Sequence, residues 1–232
     1  MPKLIQQRDN FSWLLGALIF LLFGDALFAQ LEFHEGQRLV NATLMVTVVI
    51  AVWSVNEGGR WLNWKLGMSF IIVSLMISDS VMAENTLAIY QLASVFLFLS
   101  FTLYLCWKQV MFSGKVDGNT IIGSICIYIL IAVIWAFAYL IVEMFVPGSF
   151  NGLKSGLWQE NLGALVYYSF VTLTTLGYGD ITPMQPLARF MAYLEAITGI
   201  FYTTVLVASL IGMRLAHHSG PAHDKHPSEN DK

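Results

Sequence analysis

Charged side chains are scarce in this chain, since Asp, Glu, Lys and Arg make up 12% of its 232 residues. Soluble domains carry about 25%, so a protein that exposes its whole surface to water is excluded. The formal net charge is only −3 and no basic stretch is present, which argues against a nucleic-acid partner. Instead, 56% of the residues are hydrophobic and the mean hydropathy is +0.65. Most of the chain is therefore expected to lie among membrane lipids.

Cysteine is also rare, with two residues, Cys106 and Cys126. Both lie in or beside apolar stretches, so they are expected as packed thiols, and a disulfide framework is not predicted. The polar residues of the folded part contain no nucleophile–base set and no cluster with metal-ligand spacing. The sequence therefore predicts neither an enzyme nor an organic cofactor, and it indicates no soluble partner.

Long apolar stretches are what the chain has in abundance. A helix that crosses a bilayer needs about 20 apolar residues, and six stretches approach or exceed this length. No small-residue cleavage site follows the first stretch, so it is interpreted as a retained helix and not as a signal peptide. The sequence predicts an all-α membrane protein with six transmembrane helices, over residues 11–28, 39–55, 61–82, 86–107, 120–145 and 186–215.

The distribution of lysine and arginine predicts the orientation of these helices, because cytoplasmic loops carry an excess of basic residues. If the amino terminus is cytoplasmic, Arg38, Lys154 and Arg189 fall outside. The remaining basic residues all fall inside: Lys3, Arg8, Arg60, Lys65, Lys108, Lys115, Arg214, Lys225 and Lys232. We therefore expect a multi-pass protein of the cell membrane with cytoplasmic amino and carboxyl termini.

The most specific motif is Thr-Leu-Thr-Thr-Leu-Gly-Tyr-Gly-Asp over residues 172–180. Its two glycines can adopt backbone angles that other residues reach only at a steric cost. Such angles can turn successive carbonyl oxygens to one side, where they replace the water around a bare cation. A glycine pair alone marks turns in many proteins, but this motif lies between two long apolar segments. It therefore predicts an ion selectivity filter.

The motif resembles the potassium-channel filter Thr-Val-Gly-Tyr-Gly, with Leu176 where valine is usual. The resemblance implies that K+ ions bind to the backbone carbonyls of Thr175, Leu176, Gly177 and Tyr178 and to the Thr175 hydroxyl, with Gly179 completing the filter. Channels of this family close their pore from four pore loops. Because this chain has one, the resemblance implies a symmetric homotetramer, similar to compact prokaryotic channels.

Residues beside the filter receive supporting roles from the same resemblance. The pair Tyr167–Tyr168 is expected on a short re-entrant pore helix over residues 161–174, where it would brace Tyr178. The enrichment of tyrosine at membrane interfaces is a simpler explanation for the pair. Asp180 is expected at the outer mouth, where four copies would raise the local concentration of cations.

The last apolar stretch contains an unusual acid and an unusual glycine. An acid in a membrane segment is costly and is usually functional or paired, so Glu195 is predicted to support the filter through a pore-helix hydroxyl. Helix packing alone is the alternative. Gly199 falls where the family has its hinge glycine, with close packing as the alternative. The resemblance places the cavity lining and inner gate at Thr203, Val207 and Ile211.

The chain divides at residues 108–118, where glycine and serine interrupt two apolar runs. Residues 119–216 form the predicted pore domain. Residues 1–107 form a four-helix module that resembles a voltage-sensor domain, and residues 217–232 form a short, histidine-rich cytoplasmic tail that either binds metal or protons or is disordered. A voltage sensor moves basic side chains through the membrane field, yet the fourth helix has none before Lys108.

The sequence therefore predicts a passive potassium channel that is not voltage-gated. A non-selective monovalent cation channel is the alternative, although such channels typically lose the Tyr-Gly end of the filter, which this chain keeps at Tyr178 and Gly179. A potassium transporter would carry four pore loops in one chain, and this chain has one.

Overall fold

The computed structural model describes residues 10–30, 36–54, 66–74, 88–111, 118–154, 156 and 158–218. This part of the chain is mostly helical. Its helices are α1 (Asn10–Gln30), α2 (Gly36–Ser54), α3 (helical residues 66–74), α4 (Ala88–Met111), α5 (Gly118–Phe145), α6 (Trp158–Leu173) and α7 (Pro186–His218). Two short strands, β1 (Phe150–Asn151) and β2 (Thr182–Pro183), pair in antiparallel orientation.

A described helix overlaps each apolar stretch of the sequence. Among the described residues, α4 and α5 are long and apolar enough to cross a membrane, while α1 and α2 contain shorter apolar cores, Phe11–Gly24 and Ala42–Val52. Helix α6 begins at Trp158, earlier than predicted, because Glu160 in its first turn suits the positive end of a helix. The predicted tail beyond residue 218 lies outside the described residues.

A proline and a glycine follow the end of α5, and a proline begins α7. Pro147 cannot continue α5, and Gly148 follows it with a φ of 80°, a left-handed angle that commonly closes a helix. Pro186 occupies the first position of α7, where a missing backbone N–H has no consequence. The β1–β2 pair, which the all-α prediction did not include, joins the two loops between these helix ends.

Helix α5 is the centre of the packing, since it contacts α1, α4, α6 and α7. Gly123 allows this approach: a Cβ there would lie 2.7 Å from the Val110 side chain of α4 and 2.9 Å from the Phe11 ring of α1. Small residues at such contacts are how membrane helices pack closely. Helices α1 and α2 also contact α6, so the first helices pack directly on the helix that precedes the filter motif.

Several buried threonine and serine hydroxyls are satisfied within their own helices. Thr102 Oγ1 donates to the Phe98 carbonyl at 2.9 Å, and Ser124 Oγ donates to the Thr120 carbonyl at 2.9 Å. A hydroxyl bonded to the carbonyl four residues earlier needs no water. These helices can therefore carry threonine and serine in apolar surroundings.

Helix α7 has one buried face and one exposed apolar face. Ala188, Glu195 and Gly199 lie on the buried face, and the helix contacts α5 and α6. An exposed apolar stripe of this length requires lipid or another protein surface to cover it. We call it the α7 stripe, and it consists of Leu187, Phe190, Tyr193, Ile197, Ile200, Phe201 and Val205.

Candidate functional site

The filter segment, residues 174–180, follows the end of α6 and is exposed along its whole length in the single chain. The φ angle alternates in sign along the segment. It is positive at Thr175, Gly177 and Gly179, with values of 59°, 61° and 82°. Thr175 is the one non-glycine residue with a positive φ among those described. A β-branched residue rarely adopts this angle, so the surrounding structure must impose it.

Hydrogen bonds to the end of α6 fix the direction of the filter backbone. The amides of Leu176 and Gly177 both donate to the carbonyl of Val171, at 2.8 Å and 3.3 Å. In a trans peptide the N–H and the C=O point in opposite directions. The carbonyl oxygens that share peptide units with these amides, those of Thr175 and Leu176, therefore point away from α6 toward the open side.

The filter segment thus presents hard oxygen ligands on one side. Backbone carbonyls are the groups that replace the hydration shell of K+ in known filters. The carboxyl end of α6 lies beside the segment, and its dipole places partial negative charge there. Within the described residues, no group of three His, Cys, Asp or Glu side chains is placed to hold a metal ion.

Tyr167 and Asp180 are brought together beside the filter segment. The Tyr167 hydroxyl and the Asp180 carboxylate are close enough to interact electrostatically. Tyr178 is 68% exposed in the single chain, which leaves its ring free to meet a surface from outside this chain. Of the predicted supporting pair, Tyr167 is thus the member that reaches the filter's outer end.

Tyr168 points elsewhere and packs in an aromatic triangle with Tyr139 of α5 and Phe150 of β1. Its ring centroid lies 5.2 Å from that of Tyr139 and 5.4 Å from that of Phe150, and the Tyr139–Phe150 distance is 5.2 Å. All three pairs meet edge to face, the favoured aromatic geometry. The sequence placed Tyr168 against Tyr178, but in this chain it fixes the back of α6 to α5.

The loop after α5 holds the segment that follows the filter. We call residues 146–154 the turret loop. Phe150 pairs with Pro183 in the β1–β2 ladder, and the Met184 amide donates to the Ser149 carbonyl at 2.8 Å. Gly152 has a φ of 92°, and a Cβ there would lie 2.6 Å from the Asp180 carbonyl. The turret loop therefore touches the chain immediately after the filter.

Glu195 links three helices at the buried face of α7. It is 0% exposed, and its carboxyl group is hydrogen-bonded to the hydroxyl of Tyr139 of α5, at 2.5 Å, and to the hydroxyl of Ser169 of α6. Ser169 lies within the predicted pore helix, so its contact with Glu195 is of the kind that the sequence predicted. Tyr139 was missed, because a tyrosine in an apolar helix carries no signal of a polar role.

Gly199 lies against the end of α6. A Cβ at this position would be 2.0 Å from the Leu173 carbonyl oxygen, so only glycine fits. Helix α7 continues unbroken through Gly199, which gives the residue a packing role in this structure, while the predicted hinge remains a prediction. Thr203 is exposed and donates to the Gly199 carbonyl at 3.0 Å. The side chains of Val207 and Ile211 lie outside the described part of α7.

Known proteins resemble this region of the chain. Residues 122–214, which include α6, the filter segment and most of α5 and α7, match the family Ion_trans_2, described as an ion channel. A protein of Oryza sativa subsp. japonica, two pore potassium channel c, is 27% identical over 85 residues, which cover 34% of this chain and 19% of that protein. No solved structure matches the chain.

The chain therefore contains an ion channel domain, which belongs to a class of membrane proteins and not to an enzyme family. The two matches together support the potassium channel family for this chain. This confirms the resemblance drawn from the filter motif. The match spans about a fifth of the rice protein's length, 19%.

Proposed function

We propose that this chain is a potassium-selective channel that conducts K+ passively through residues 175–179. The observation that carries the proposal is the alternation of φ along this segment, which is positive at Thr175, Gly177 and Gly179. The amides of Leu176 and Gly177 hold this conformation by donating to the Val171 carbonyl. The carbonyls of Thr175, Leu176, Gly177 and Tyr178 are the proposed ligands of K+. Oxygens turned to one side can replace the hydration shell of a cation.

The proposed active form is a homotetramer. One chain presents one row of filter oxygens, whereas a dehydrated ion must be surrounded on all sides. Closed rotational symmetry is the usual way for identical chains to achieve this. The exposed filter segment and the exposed α7 stripe are the surfaces that such an assembly would cover, together with lipid.

The proposed topology has six spanning helices and cytoplasmic termini. Helices α4 and α5 are long and apolar enough to cross the bilayer. Helix α6 has 16 residues, fewer than the roughly 20 that a spanning helix needs, which supports a re-entrant pore helix buried in protein. The excess of basic residues on one side of the predicted helices supports the orientation in the cell membrane.

Selectivity is tested with purified protein in a planar bilayer, with K+ on one side and Na+ on the other. A voltage ramp is expected to give a reversal potential far from zero, with the sign that opposes the flow of K+ out of its compartment. Barium is expected to block the current, because it has nearly the size of K+ and enters the same sites. A reversal potential near zero under these conditions would instead identify the non-selective cation channel.

Voltage is expected to have little effect on the open probability. Each charge that crosses the field contributes about 2.3 kcal/mol per 100 mV, but Lys108, in the last turn, is the single basic residue of α4. Without mobile charges on this helix, the field has little to act upon. Open probability measured over a series of voltage steps should stay nearly constant. A steep activation curve, corresponding to several gating charges, would contradict the prediction that the channel is not voltage-gated.

A further inference from the structure

Among the described residues, Glu195 is the one acidic or basic residue that is buried. Its carboxyl group faces Tyr139 of α5 and Ser169 of α6, its two hydrogen-bond partners. Two further phenol groups, Tyr128 of α5 and Tyr168 of α6, are close enough to interact with it electrostatically. No ion pair of Glu195 with a basic side chain is found in the described part of the chain.

A count of hydrogen atoms at this junction decides which groups donate. Ser169 Oγ lies 2.7 Å from the Ala132 carbonyl of α5 and also contacts Glu195. A serine hydroxyl has one hydrogen to donate, and an ionised carboxylate can only accept. If Glu195 were ionised, the single hydrogen of Ser169 would be claimed by two acceptors.

A protonated Glu195 resolves this conflict. Its hydroxyl donates to Ser169, Ser169 donates to the Ala132 carbonyl, and Tyr139 donates to the other carboxyl oxygen. Every donor and acceptor then has a partner, as buried polar groups require. The unpaired charge that burial makes so costly is also avoided.

We infer that Glu195 is held as a neutral carboxylic acid that donates to Ser169 and accepts from Tyr139, and that it thereby positions α6 between α5 and α7. Ser169 lies on the same helix as Val171, whose carbonyl receives the filter amides of Leu176 and Gly177. A displacement of α6 therefore moves the acceptor that orients the filter. The effect on conduction rests on the proposed channel function, whereas the protonation state does not.

The test compares Glu195→Gln, Glu195→Leu and Tyr139→Phe. Glutamine supplies one donor for Ser169 and an acceptor for Tyr139, so Glu195→Gln should keep wild-type open and closed dwell times. Glu195→Leu and Tyr139→Phe should change the dwell times of the conductive filter by about tenfold, because each leaves a buried polar group without its partner. If Glu195→Leu does not fold, the other two variants still decide the result.

Tyr202→Phe is the matched control. Its hydroxyl donates at 2.6 Å to the Ser124 carbonyl, so it also joins α7 to α5, but through no atom of α6. Loss of this bond should lower thermal stability as much as Tyr139→Phe does, while the filter dwell times stay at the wild-type value. Equal changes in dwell time for Tyr139→Phe and Tyr202→Phe would overturn the positioning role.

Infrared difference spectra of wild type and Glu195→Gln provide a measurement independent of conduction. The carbonyl stretch of a protonated carboxylic acid is expected in the wild type and absent from the variant. Carboxylate bands in its place would overturn the inference. If the protonated band is present and the wild type carries no K+ current, the inferred protonation state stands and the proposed channel function fails.

Discussion

Alanine in place of Gly177 or Gly179 is expected to abolish K+ conduction while the chain still folds. These glycines have φ angles of 61° and 82°, and each such angle costs a residue with a Cβ about 1–2 kcal/mol. No atom of the chain lies within 4 Å of a Cβ added at either position. The damage therefore comes from the backbone angle alone: a residue that returns to negative φ turns its peptide unit and removes an oxygen from the row.

The measurement is K+ efflux from proteoliposomes, which should fall to the level of protein-free vesicles. Gly16→Ala is the control, because Gly16 of α1 has no atom within 4 Å of an added Cβ and no positive φ. Its efflux should equal that of the wild type. Selective K+ efflux from Gly177→Ala would show that the alternating backbone is not the conducting element.

Alanine at Gly199 is expected to have the second large effect, through packing. The added Cβ would lie 2.0 Å from the carbonyl oxygen and 2.9 Å from the carbonyl carbon of Leu173. These are backbone atoms, so no side-chain rotation relieves the contact, and α6 and α7 must move apart. Overpacking of this kind costs about 1–3 kcal/mol. We expect a lower midpoint of thermal unfolding and a reduced K+ current.

Gly212→Ala on the same helix is the matched control, since no atom lies within 4 Å of its added Cβ. Alanine is favoured over glycine in a helix by about 1 kcal/mol, so this variant should unfold at the same temperature as the wild type or higher. If Gly199 acted only as a hinge, Gly199→Ala would behave in the same way and alter gating alone. An increase in stability for Gly199→Ala would contradict the packing role.

The positive φ angles of Gly177 and Gly179 could be expected from the sequence, because such angles are encoded locally. Glycines at 177 and 179 indicate positive φ angles, and the long apolar stretches predict helices. Neither prediction needs information about distant residues. Thr175 shares the same backbone angle, but a threonine gives no such signal. Its angle is imposed by the end of α6, where the next two amides bond to Val171.

The contacts of Glu195 and Tyr168 were only half predictable. Glu195 could be found because an acid in an apolar helix demands a partner. Tyr139 and Phe150 could not, since they meet Tyr168 only after α5, the turret loop and α6 have packed together. The packing of Tyr168 on α5 was not predicted for the same reason: the order of residues on α6 does not tell which face meets α5. The contact of Tyr178 with the pair Tyr167–Tyr168 stays a prediction.

The pairing of β1 with β2 also has a consequence for biosynthesis. Strand β1 precedes α6 and β2 follows the filter segment. The β1–β2 pair therefore joins the two ends of the stretch that contains α6 and the filter segment, and both strands belong to the same chain. A newly made chain can finish its share of the pore before it meets another copy. In the proposed homotetramer, folded subunits then associate, and their association does not depend on the conformation of the filter segment. Intact and altered chains made in the same cell would then be expected to form mixed tetramers.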